Sequence, residues 1–188
     1  MFFYYGQVTL IIAVIWIIVR TGVWLIKKKV DWKYELKLLT VFAGIALVTR
    51  FVYFPLRCDI LTERLFIYFT RDIENYITLK PFTFLKMRYS GWQYNVFGNI
   101  LMFVPVGIFW PFCFKALDRI WKVVLAGAGY SLLIELSQLC VYGRNTDIDD
   151  LILNTFGAFV GALIYFCLIK KLADKKKSKT IENTTVEE

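Results

Sequence analysis

Long apolar runs dominate this chain, and short polar segments separate them. Five of the runs approach the 20 or so residues that a helix needs to cross a bilayer. They cover residues 3–26, 36–56, 96–114, 120–141 and 151–169. The pattern predicts an all-α, polytopic membrane helix bundle of about five transmembrane helices.

The same runs divide the chain into three parts. Residues 1–35 hold the first transmembrane helix and a basic loop, residues 36–169 form the main membrane domain, and residues 170–188 form a tail that is first basic and then acidic. The tail is too polar to bury a core, so we expect it to be disordered. The mixed segment 57–95 is expected to pack on the bundle or lie in the interface, with a short amphipathic helix around 59–68.

The distribution of basic residues predicts an orientation. Most of the 23 lysines and arginines fall in three short segments, 27–37, 115–122 and 170–179, which lie on one side if five helices alternate. Short loops rich in Lys and Arg stay in the cytoplasm. We therefore expect the N-terminus outside and the C-terminus in the cytoplasm.

Composition excludes several classes of function. The net charge of +8 does not indicate nucleic-acid binding, because the basic residues collect at the ends of apolar runs, where anionic lipid is the expected partner. With no histidine, Ser-His and Cys-His nucleophiles are excluded, and the four cysteines lack the spacing of a metal site. No metal or cofactor is predicted. Cys58 and Cys140 both fall near the outer surface, and whether they pair is left open.

Polar residues inside the runs are costly and ask for an explanation. Arg20 lies near the cytoplasmic end of the first run and is expected to snorkel to the headgroups. At a rise of 1.5 Å per residue, Arg50 lies about 21 Å across the second run and Glu135 about 22 Å across the fourth. Asn99 and Asn154 lie within about a turn of the outer ends of their helices. Four helices thus carry a polar residue at nearly one depth, near the outer surface.

Helical spacing sorts these residues into stripes. Ser131, Glu135 and Gln138 share one helix face, and Asp150 and Asn154 share another. The second stripe continues into Gly157 and Gly161, and such small residues let another helix approach closely. Two interpretations stay open: a polar network that holds helices together, in which Arg50 pairs with Glu135, or a ligand site.

The segment GRNTDIDDLILN (143–154) is the densest candidate for function. Asp149 and Asp150 suit the positive N-terminal end of a helix, and Asp147 or Asp149 is expected to cap it. Three aspartates beside Arg144 also suit a cation, or a ligand that carries an amine and a carboxylate.

Three motifs resemble the VanZ family, membrane proteins named for a teicoplanin-resistance factor. They are GNILMFVPVGIF (98–109), IELSQL (134–139) and GRNTDIDDLILNTFGAFVG (143–161), and LKPFTFL (79–85) resembles the Pro-Phe segment that precedes the first. The resemblance runs from about Arg50 to Leu168. Met102 stands where the family often has Leu.

The resemblance implies a multi-pass protein of the bacterial cell membrane, in some members linked to lower susceptibility to teicoplanin. The ligand-binding candidates are Arg50, Asn99, Glu135, Gln138, Arg144, Asp149, Asp150 and Asn154. Arg50 joins this set by its depth alone. Pro105, Gly107, Gly157 and Gly161 are expected to shape the helices. The family supplies no established reaction, and no catalytic residue is assigned.

Three hypotheses follow. The leading one is a non-enzymatic protein whose outward-facing polar pocket binds an amphiphile, such as membrane lipid, a lipid-linked wall component or a lipoglycopeptide antibiotic. The second is an outer-leaflet enzyme acting on a lipid or cell-wall precursor, with Glu135 as general base and Asp149 and Asp150 holding a divalent metal. The third is a structural or transport-accessory protein whose polar stripe only joins helices.

Overall fold

The computed structural model describes residues 2–54, 64–66, 77–83, 91–141 and 144–172. Five helices in this part are long and apolar enough to cross a membrane, so the five predicted helices are confirmed. They are α1 (Tyr5–Lys27), α2 (Trp32–Tyr53), α3 (Trp92–Cys113), α4 (Ile120–Gln138) and α5 (Ile148–Ile164), which continues as a π-helical turn over Tyr165–Lys170.

Polar caps move two helix starts outward from the apolar runs. The side chain of Asp31 accepts hydrogen bonds from the backbone N–H groups of Lys33 (3.1 Å) and Tyr34 (3.2 Å), so α2 begins four residues before its apolar run. Asp147 caps α5 by accepting from the backbone N–H of Asp149 at 2.9 Å. The first turn of each helix contains two charged residues, which is why apolar periodicity alone places the start too late.

The described residues include four short strands, so the prediction of an all-α fold holds only in part. Strand β1 (Phe2–Tyr4) pairs antiparallel with β2 (Arg64–Phe66), and β3 (Ile77–Thr78) pairs in parallel with β4 (Thr146–Asp147). The amphipathic helix predicted at 59–68 lies mostly outside the described residues, and its described part is strand β2. That part is extended because the N-terminal segment pairs with it.

The tightest helix contact joins α3 and α5, and three glycines make it possible. A Cβ at Gly157 would overlap the backbone of Ile100, and one at Gly161 would overlap the backbone of Val104. A Cβ at Gly107 would lie 2.7 Å from the backbone nitrogen of Ala162. The two backbones are therefore in direct contact, which only glycine allows at these positions.

The core lies among α2, α3, α4 and α5, whereas α1 lies at the edge. Val48, Phe103 and Ile134 belong to one buried apolar cluster. Helix α1 buries none of its residues, and its apolar side chains, such as Ile17 and Ile26, are mostly exposed. An exposed face this apolar is typical of a helix that meets lipid.

An ion pair joins α1 to α2 near the turn between them. The Arg20 guanidinium donates to the Glu35 carboxylate through Nη2 (2.5 Å) and Nε (2.9 Å), and the indole N–H of Trp24 donates to the same carboxylate at 2.8 Å. Arg20 therefore has a protein partner, which was not predicted from the sequence, and its snorkelling to the headgroups stays a prediction.

Candidate functional site: the polar end of the bundle

The predicted ligand residues gather at one end of the bundle, where α2 and α4 end and α3 and α5 begin. We call this the polar end. It contains Arg50, Asn99, Glu135, Gln138, Arg144, Asp149, Asp150 and Asn154. Their side chains have different partners, and among these eight a hydrogen bond joins Asn99 to Asp150, whereas most of the others bind groups outside the set.

Asp149 holds an upstream segment against the start of α5. Its carboxylate accepts from the backbone N–H groups of Phe82 (2.5 Å) and Thr83 (2.7 Å) and from the Thr83 hydroxyl (2.5 Å). The β3–β4 pairing joins the same two segments just beyond. Phe82 has a left-handed φ of 61°, a conformation that costs energy in a residue with a side chain. The buried carboxylate of Asp149 is thus engaged inside the protein.

Asn99 and Asp150 join α3 to α5. The Asn99 side-chain amide donates to the Asp150 carboxylate at 2.5 Å. Asp150 is half-buried and lies in the electrostatic field of Arg144, which attracts it, and of Asp147, which repels it. The charge of Asp150 is thus partly compensated by protein groups.

Glu135 ties the end of α4 to β4. Its carboxylate accepts from the backbone N–H of Asp147 at 3.1 Å, and its backbone carbonyl accepts from the Thr146 hydroxyl at 2.8 Å. The side chain is only 3% exposed. The charged groups that act on it are the carboxylates of Asp150 and Asp147, and no described residue forms an ion pair with it.

Two amide side chains are buried beside Glu135 along the α4–α5 contact. Asn154 donates through Nδ2 to the Ser131 hydroxyl at 3.0 Å. Within the described part of the chain, Oδ1 of Asn154 and Oε1 of Gln138 are buried without a hydrogen-bond donor. Such acceptors are uncommon in folded proteins, and each asks for a specific reason.

Arg50 is buried at the polar end but faces α1. Its guanidinium donates to the backbone carbonyl of Phe54 and lies 5.5 Å from the ring centre of Tyr5. It does not form the predicted ion pair with Glu135. Depth along a helix places Arg50 correctly at this end but does not say which neighbour its side chain meets.

Asp147 lies in the connection between α4 and α5, and its environment disfavours its charge. Burial raises the pKa of its carboxyl group, and the neighbouring Asp149 carboxylate raises it further, while the hydrogen bond from the Asp149 N–H opposes both. This bond is the cap predicted for α5, with Asp147 in that role.

Sequence reasoning missed several partners at the polar end. Phe82 and Thr83 lie in LKPFTFL, so the resemblance marked the segment but not its contact with Asp149. The hydroxyl groups of Tyr53 and Ser137 hydrogen-bond across α2 and α4, and no sequence pattern pointed to that pair.

Two further questions from the sequence concern a metal site and a disulfide. Among residues the structure describes, no three Cys, Asp or Glu side chains converge on a metal-sized centre. The question of a Cys58–Cys140 disulfide lies outside the described residues, because Cys58 is not among them.

An apolar groove of about 630 Å³ lies toward the end of the bundle opposite the polar end. It is lined by Ile120, Trp121, Val124, Leu125 and Phe159, and it includes none of the ligand candidates.

Comparison with known proteins fits the motifs that meet at the polar end. A family model described as VanZ/LLP1 matches residues 8–170. The chain belongs to the VanZ/LLP1 family. It is also 30% identical over 130 residues to "Protein VanZ" of Enterococcus faecium, which covers 69% of this chain and 73% of that protein. No solved structure matches.

The VanZ/LLP1 match extends beyond the part of the sequence that carried the resemblance. It includes α1 from residue 8, whereas the resemblance begins near Arg50. The described parts of the three motifs supply the start of α3, the end of α4 and the start of α5. The family's motif positions therefore meet in space, at the polar end.

Proposed function

We propose that this VanZ/LLP1 family member lies in the bacterial cell membrane with its polar end outside. There it binds the polar part of an amphiphilic ligand and lowers susceptibility to teicoplanin-type lipoglycopeptides. The resistance role comes with the family resemblance, and the ligand role is supported by the site.

One observation carries the ligand role. Gln138 and Asn154 are 6% and 2% exposed, yet each has a side-chain amide oxygen to which no described group donates a hydrogen bond. Beside them, Glu135 is 3% exposed, and the described charged groups that act on it are both acidic. A network that served only to join helices would satisfy its buried groups, because each unsatisfied one costs roughly 1–3 kcal/mol. The start of α3 carries two aromatic residues, Trp92 and the exposed Tyr94, and such residues are typical of the lipid headgroup region, where the polar end would lie.

Expression of this protein is expected to raise the minimal inhibitory concentration of teicoplanin and to leave that of vancomycin unchanged. Glu135→Gln keeps the shape of the side chain and removes its charge, so it should abolish the increase while the protein stays in the membrane. The control is Asp118→Asn, at an exposed site on the α3–α4 turn, which should keep the increase in the minimal inhibitory concentration of teicoplanin. Unchanged teicoplanin susceptibility with protein present in the membrane would overturn the resistance role.

The proposed orientation can be tested with a native cysteine. Cys140 is exposed two residues beyond α4, at the polar end. With the other cysteines replaced by serine, a membrane-impermeant maleimide should label Cys140 in intact cells. A cysteine-free protein carrying Ser178→Cys in the tail should react only after permeabilisation. The reverse pattern would overturn the orientation.

A scaffold function is the second candidate, and the internal bonds of Asp149, Asp150 and Asn154 favour it. It predicts that Glu135→Gln lowers the melting temperature in detergent and leaves resistance intact. Loss of resistance at an unchanged melting temperature would exclude it.

A further inference from the structure

Glu135 differs from Asp149 and Asp150 in having no compensating group among the residues that the structure describes. Asp149 accepts three hydrogen bonds, and Asp150 has the Asn99 amide and the field of Arg144. Glu135 is as buried as Asp149, but its carboxylate accepts one hydrogen bond, from a backbone N–H, and its charged neighbours are both acidic. A buried carboxylate without a positive partner is among the most unfavourable arrangements in a protein.

The unsatisfied amide oxygens lie on the same stripes as Glu135. Gln138 follows Glu135 by three residues, and Ser131 precedes it by four, so all three share the buried face of α4. Because Asn154 is hydrogen-bonded to Ser131, its amide faces this stripe from α5. The site thus presents three groups that accept hydrogen bonds: one carboxylate and two amide carbonyls.

This set of acceptors selects a kind of ligand. A ligand group that carries only negative charge is disfavoured next to Glu135 itself, since the described charged groups that act on this carboxylate are acidic. Divalent metals favour several carboxylates in a regular shell, and the described residues provide no group of three. A primary ammonium group carries one positive charge and three N–H donors, and it has no acceptor. It matches one carboxylate and two carbonyls in both charge and number.

We propose that the α4–α5 contact at the polar end binds a primary ammonium group, with Glu135, Gln138 and Asn154 as its acceptors. The inference rests on the proposed ligand-binding function and gives its ligand a chemical class. The ammonium group can come from a lipid headgroup such as that of phosphatidylethanolamine, or from a soluble amine. Both sources share the chemistry recognised here.

A series of lipids that differ only in N-methylation isolates this recognition. Phosphatidylethanolamine, its monomethyl and dimethyl derivatives and phosphatidylcholine keep the same net charge and lose one N–H donor at each step. Their dissociation constants for the purified full chain can be measured by native mass spectrometry. We expect affinity to fall along the series, with phosphatidylethanolamine bound about tenfold more tightly than phosphatidylcholine, a difference of about 1.4 kcal/mol.

Variants test whether the preference for phosphatidylethanolamine depends on Glu135 and Gln138. Glu135→Gln and Gln138→Leu should each remove the preference for phosphatidylethanolamine. Glu35→Gln is the matched control: it neutralises a carboxylate that already has Arg20 as partner, near the α1–α2 turn, and should keep the preference. An arm with soluble phosphoethanolamine separates the sources, because competition by it would show that the headgroup alone is recognised.

Equal affinities of the wild-type chain across the methylation series would overturn the inference. So would a preference that survives in both Glu135→Gln and Gln138→Leu. Neither result depends on antibiotic susceptibility. If teicoplanin susceptibility is unchanged while the preference is present, the resistance role fails and the ammonium site stands.

Discussion

Gly161→Ala is expected to lower the melting temperature of the protein in detergent by roughly 10 °C, corresponding to about 3 kcal/mol for a chain of this size. The added methyl group would overlap the backbone of Val104 and lie 2.8 Å from Cα of Gly107. Neither is the end of a flexible side chain. The α3 and α5 backbones would have to separate, which would loosen the α3–α5 contact along its length.

The same residue type offers a matched control on a neighbouring helix. A Cβ at Gly129, in α4, would meet nothing within 4 Å. Gly129→Ala should therefore leave the melting temperature unchanged or raise it slightly, because alanine is favoured over glycine in a helix by about 0.5–1 kcal/mol. Similar melting temperatures for Gly161→Ala and Gly129→Ala would contradict the close approach of α3 and α5.

The helices of this protein can be predicted from its sequence because their physical cause is local. Each apolar run is long enough for a span, and the structure has a helix at each of the five. The ends are less predictable, because caps such as Asp31 and Asp147 are polar residues outside the runs. The β1–β2 and β3–β4 pairings were not predicted, since each joins segments far apart in the chain.

In the candidate site, too, the local features could be predicted from the sequence and the contacts between helices mostly could not. The stripes of α4 and α5 follow from spacings of three and four residues, and Asn154 does face Ser131 across them. Spacing does not choose among partners at similar depth. Arg50 meets Phe54 and Tyr5 rather than Glu135, because side chains at one depth can face different neighbours around the bundle.

Asp149→Asn is the second change for which we expect a large effect. An asparagine has one acceptor oxygen in place of two and no charge, so it cannot serve the three donors of Phe82 and Thr83 together. Hydrogen bonds to a charged group contribute roughly 1.5–3 kcal/mol each, and buried N–H groups left without an acceptor add to the cost. We expect a loss of about 3 kcal/mol in the free energy of unfolding.

Hydrogen exchange decides whether Asp149 acts as this clamp or only as a residue in the first turn of α5. If it is the clamp, Asp149→Asn should raise amide exchange at residues 77–83 while the rest of α5 keeps its protection, because the α3–α5 contact at Gly157 and Gly161 is untouched. Asp147→Ala removes the cap and should raise exchange at the start of α5 instead. Exchange that rises only in α5 after Asp149→Asn would show that the bonds to Phe82 and Thr83 contribute little, and that the β3–β4 pairing alone holds the upstream segment in place.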